Sequence, residues 1–161
     1  MAITTYCTTD SVRAVLGVSV DEIEDVTVLD PIYSLALSER FTDIDAGLEP
    51  FYATIPLTGQ TAAQTRFVNL VNTYAAYVVA QQLLNSVPMF APQTITDSKA
   101  SMIRAQDAYD DLRANVLGSI NYIFTRIATT YKALNPSGTV PVYNGRIFAV
   151  TAGGYDPVTN T

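Results

Sequence analysis

From Met102 to Leu134 the apolar side chains fall three and four residues apart without interruption: Met102, Ala105, Tyr109, Leu112, Val116, Ile120, Ile123, Ile127, Tyr131 and Leu134. Only an α-helix gathers that spacing onto one stripe. The pattern predicts a long helix capped by Thr96 or Asp97 and stopped by Asn135, Pro136 and Gly138. Gly118 costs about 1 kcal/mol relative to alanine inside such a helix, which makes it the expected place for a kink or a break.

A second long helix is predicted from Thr61 to Ser86. Phe67, Leu70, Val71, Tyr74, Val78, Leu83 and Leu84 trace one face, while Ala76, Tyr77, Val79 and Ala80 fill much of the other. A helix that is apolar nearly all round needs neighbours on several sides, so this one should be central. Pro88 and Pro92 mark its end and a loop.

Shorter elements precede it. Residues 1–8 read as an extended arm. Thr9 or Asp10 can cap a short helix with Val12, Val15 and Leu16 inward, ended by Gly17. Ser19 and Glu22 have the spacing of a capping box, which predicts a helical turn over Val20–Val26 with Ile23 and Val26 inward. Asp30 followed by Pro31 begins a third helix, expected to run to Ile44. Its stripe is Tyr33, Leu37, Phe41 and Ile44, with Leu35 and Ala36 alongside. Residues 46–59, with Pro50 and Pro56, read as a connection anchored by Phe51 and Tyr52.

The clearest β signal lies at residues 139–151, where Asn144-Gly145 is a favoured two-residue hairpin turn between β-branched and aromatic residues. Ala152 to Thr161 reads as a polar tail. The expected fold class is therefore mainly α: a small helical bundle with two long helices over residues 1–138, then a C-terminal β-hairpin and extended tail over 139–161. A chain of 161 residues suits one such core rather than two.

Charge narrows the functional classes. Charged residues make up 15% of the chain, where about a quarter is typical of soluble domains. A surface that poor in charge suits a subunit that buries it against neighbours, and it also fits a monomer with a skin rich in Thr, Asn and Gln. The first 50 residues hold ten acids against Arg13 and Arg40, a net −8, whereas the remainder holds five acids and seven bases, a net +2. An acidic protein is poorly made for gripping phosphates, which needs a basic stripe. The aromatics fall on apolar stripes without interleaved Lys and Arg, so they read as core rather than as a base-stacking platform.

The residues offer little chemistry. The chain has no histidine, the commonest general base and metal ligand. The single cysteine, Cys7, can form no internal disulfide and reads as a buried hydrophobe. Asp107, Asp110 and Asp111 share roughly one face of the last helix beside Arg104 and Arg113, and read as a solvated, ion-paired face rather than a Mg²⁺ or Ca²⁺ site. Asp21 and Glu22 complement a helix start and Glu24 and Asp25 read as solvated, with a partner-facing acidic patch as the alternative. Gly153-Gly154 lacks the frame of a phosphate loop. The expectation is no enzyme, no cofactor, no metal and no membrane span, since the most apolar stretch, Tyr74 to Leu84, is too short to cross a bilayer.

The order of these elements resembles a known family. A short capped helix from Thr8 to Val18 ends in Leu16-Gly17, an acidic start follows at Ser19 to Asp25, and then come an amphipathic helix and the Ala/Tyr/Val-rich run Tyr74 to Gln81. Over residues 8–135 this order is similar to the head-to-tail connector proteins of tailed bacteriophages, the adaptor or head-completion proteins. The resemblance implies a structural virion neck protein, made in the host cytoplasm, that assembles with itself as a ring, twelve-fold in the virion. Its partners would be the portal protein and a tail-side neck or terminator protein, with DNA passing through the lumen without specific binding. It also implies that the C-terminal segment grips a partner, which makes Tyr143, Asn144, Gly145, Ile147, Phe148 and Tyr155 the candidate contact residues. The alternatives are a tail terminator or other neck protein and, from another class, a small helical module holding an apolar ligand between the two long helices.

Overall fold

The structure, a computed structural model, describes residues 2–86 and 99–136. Every regular element among them is helical. A 3₁₀ turn at Ile3–Thr5 leads into α1 (Thr9–Leu16), the single turn α2 (Asp25–Val28), α3 (Pro31–Ile44), α4 (Leu48–Thr54), α5 (Ala62–Ser86) and α6 (Lys99–Leu134). The expected helical bundle with two long helices is what forms. The expected hairpin and tail, with Tyr143, Asn144, Gly145, Ile147, Phe148 and Tyr155, lie outside the described residues.

Local chemistry sets most boundaries. Thr8 caps α1 by accepting the Ser11 amide at 3.2 Å, one residue before the expected cap. Gly17 ends it in the left-handed region at φ 69°, where a side chain would be strained. Asp30 caps α3 through the Ile32 amide at 2.9 Å, with Pro31 in the first turn. Thr61 and Gln64 make a reciprocal capping box at the start of α5: the Thr61 amide donates to Gln64 Oε1 at 2.9 Å, and the Gln64 amide donates to Thr61 Oγ1 at 3.2 Å. α6 runs through Gly118 without a break, and nothing lies within 4 Å of where a Cβ would sit there.

α5 is the hub. Its most extensive contact is with α6 and its next is with α1, while α3 packs on a further side. Val71, Tyr74, Ala75, Val78, Val79, Ala80 and Leu83 are almost wholly buried, which matches a helix apolar nearly all round. Phe67 meets Phe51 of α4 edge-on at 5.5 Å, and Phe51 meets Tyr131 of α6 edge-on at 5.3 Å, so three helices share one aromatic box. Beside it Asp45 Oδ1 accepts the Gly47 amide at 2.7 Å. A Cβ on Gly47 would stand 2.7 Å from the Tyr131 hydroxyl and 3.1 Å from Asp45 Oδ1. Gly47→Ala is therefore expected to lower stability by about 1–3 kcal/mol through overpacking, read as a shifted urea midpoint with an unchanged slope.

Four expectations are corrected. Residues 1–8 are no extended arm: Ile3, Tyr6 and Cys7 are buried, and the Tyr6 ring sits 4.8 Å from Phe41 and 5.1 Å from Tyr52. The Tyr6 hydroxyl donates to Glu49 at 3.0 Å, and burial with that carboxylate raises its pKa. Residues 46–59 are not wholly a connection, because Pro50 falls in the first turn of α4, where no amide is needed. The turn expected over Val20–Val26 becomes helix only at Asp25, which rotates Val26 outward to 71% exposure and turns Val28 inward instead. Leu35 lies off the inward stripe of α3 and is 63% exposed.

Candidate interaction surface

Arg13 explains why the second helical start is delayed. Its side chain is buried under residues 20–25, donating to the Ile23 carbonyl at 3.1 Å, Asp25 at 2.7 Å, Asp10 at 2.8 Å and Thr9 at 3.1 Å. These bonds hold residues 20–24 as a turn over α1. Hydrogen bonds from Thr9 and then Arg13 hold the Asp25 carboxyl below its ordinary pKa. Glu22 accepts the Ser19 amide at 2.7 Å, which lowers its pKa in the same way. Half of the acidic run thus has a structural task, and the capping-box spacing is met without a helix following it.

With the turn fixed, an apolar face is left without cover among the described residues. Val26 at 71%, Leu29 at 41%, Ile32 at 62% and Leu35 at 63% are exposed along α2 and the first half of α3. Down the same side of α3 the stripe continues from Ile32 and Leu35 to Glu39 and Asp43, at spacings of three, four and four. Both acids are exposed, and neither makes an ion pair among the described residues.

A second surface lies between the two long helices. A groove of about 770 Å³ runs along α5 and α6, with Leu70 and Ile123 as its apolar lining and Arg66 and Arg126 as its charges. No acid occurs from residue 51 to 86 or from 112 to 136, so nothing on these stretches offsets the arginines. Arg126 lies over the Tyr122 ring at 5.3 Å and donates to its hydroxyl at 3.1 Å. Leu57, 97% exposed, stands at the tip of the loop that Gln60 closes onto the Pro56 carbonyl, and Gln60 also lines the groove.

Among the described residues, no group of metal-ligating side chains accompanies these surfaces. Asp110 and Asp111 are exposed, and the Asp107 side chain lies outside the described residues. Cys7 is buried, and burial pushes its thiol up to about 11, far from a reactive thiolate. Among the described residues no helix is long and apolar enough to cross a membrane. The stripe of Ile32, Leu35, Glu39 and Asp43 was missed in the sequence, where only the acid-rich first 50 residues pointed toward it.

No family model, curated protein or solved structure matches this chain.

Proposed function

We propose that this protein is a structural subunit of a tailed-bacteriophage neck, an adaptor that forms a ring on the portal and extends the DNA channel toward the tail. The observation that carries this proposal is the uncovered apolar face of Val26, Leu29, Ile32 and Leu35 on a bundle whose other large apolar side chains are mostly buried. Such a face suits a partner. The order of helices supports the same reading: a short capped α1 ending at Gly17, an acidic turn, the amphipathic α3, and a central α5. A tail terminator would be expected to be rich in sheet, and the absence of any strand among the described residues favours the adaptor over it.

In this proposal the bundle builds the ring wall and has no enzymatic role. Its net charge of −6 keeps passing DNA from sticking. Residues 139–161 make the partner contacts, with Tyr143, Ile147, Phe148 and Tyr155 as anchors and Asn144-Gly145 turning the hairpin. Deleting 139–161 is expected to leave the helical circular dichroism signal and the thermal midpoint nearly unchanged while abolishing co-sedimentation with the portal of the same virus. A truncated chain that still docks with native stoichiometry would remove the tail from the contact.

A further inference from the structure

We propose that copies of this chain join head to tail, the outer stripe of α3 on one copy seating in the α5–α6 groove of the next. This rests on the self-assembling reading above and names the surfaces that carry it. The two surfaces complement each other in kind. The stripe offers two apolar side chains, Ile32 and Leu35, followed by two carboxylates, Glu39 and Asp43. The groove offers an apolar lining from Leu70 and Ile123 beside two guanidinium groups, Arg66 and Arg126. None of these four charges has an ion-pair partner within its own chain among the described residues.

Length fits as well. At about 1.5 Å rise per residue, Ile32 to Asp43 and the groove wall from Ala62 to Thr73 each span roughly 17 Å, so one helix face can engage the groove along its whole length. This is the helix-in-groove mode, with anchors spaced three and four residues apart. A parallel pairing of two α3 stripes would set carboxylate against carboxylate, and an antiparallel one would set each pair of carboxylates against apolar side chains with no cation to meet them, so neither self-pairing satisfies the charges. The complementary halves therefore lie on different faces of one chain. Such a contact is heterologous, and it closes into a ring or runs on as a filament according to the rotation it imposes.

The test uses the full chain at low salt and follows mass against concentration, for the free protein and for protein bound to portal. Two variants carry reversed charges: Glu39→Arg with Asp43→Arg, and Arg66→Glu with Arg126→Glu. Each alone is expected to weaken association about 100-fold. An equimolar mixture is expected to recover it, because each variant's stripe then meets a groove of opposite sign. If the arginine variant associates like the native chain while the acidic-stripe variant fails, the contact is not stripe to groove and the proposal is overturned. If both variants associate normally, these surfaces are wrong while self-assembly stands. A native chain that stays monomeric both free and on the portal overturns the ring reading together with this one.

A second measurement does not depend on charge reversal. Leu35→Cys in one preparation and Asn69→Cys in another, oxidised with diamide, are expected to form heterodimers on mixing and no dimer alone; the native Cys7 is buried. Dimers from Leu35→Cys alone would show a symmetric contact and overturn the proposal.

Discussion

Phe67→Ala is expected to cost the fold about 3–5 kcal/mol, the range for emptying a buried aromatic site. Phe67 has no exposed surface, and its ring lies against Phe51 and 6.3 Å from Tyr131. The cavity would open where α4, α5 and α6 meet. None of the three can collapse into it freely, because Tyr131 is held near Asp45 and Asn135 and α4 follows closely on the end of α3. Urea denaturation followed by helical circular dichroism measures the loss, with a fall in Tm of about 10 °C or more. The exposed neighbour Arg66→Ala should stay within about 0.5 kcal/mol. A loss below about 1 kcal/mol at Phe67 would mean that the aromatic box is not a packed junction.

Val79→Asp is expected to be worse, leaving a chain that does not reach the native helical signal. Val79 is wholly buried on α5, and so are Val78 and Ala80 on either side of it. An aspartate there has no partner and no route to water. Burying an unpaired charge costs more than the about 5–15 kcal/mol by which typical domains are stable, unless the group takes up a proton or the structure opens. A helix with one solvent-facing side would tolerate aspartate at some of these positions. Thr73→Asp supplies that comparison, since Thr73 is exposed on the same helix, and it should fold. A folded Val79→Asp protein at neutral pH would contradict the central place given to α5.

The long elements were legible because periodicity and caps agree in them. The stripe of α6 from Val116 to Tyr131 is buried at each position expected of it, and the stripe Tyr33, Leu37, Phe41 and Ile44 of α3 is buried as read. Periodicity failed where a tertiary contact set the phase. Val26 looked inward only if the helix began at Val20, and its start at Asp25 follows from Arg13, a buried cation tied to the Ile23 carbonyl and to Asp25. Hydropathy alone does not separate Leu35 from Leu37, because the difference depends on which side of α3 faces α5. Pro50 obscured α4, although proline suits a first turn. Thr61 and Gln64 carry the same spacing as Ser19 and Glu22, and there a long helix does follow it. For the candidate surface, the acid-rich first 50 residues were plain in the sequence. The opposing groove was not, since Arg66 and Arg126 lie 60 residues apart and meet only when α5 and α6 pack.

The proposed neck role requires this bundle to assemble, and the solution mass of the purified protein tests that most directly, alone and then with the portal protein that the proposal gives it as a partner. The expected result is a chain that joins the portal as a stoichiometric ring of copies, whether or not it is monomeric beforehand. A chain that remains a 17.4 kDa monomer with portal present would contradict the account.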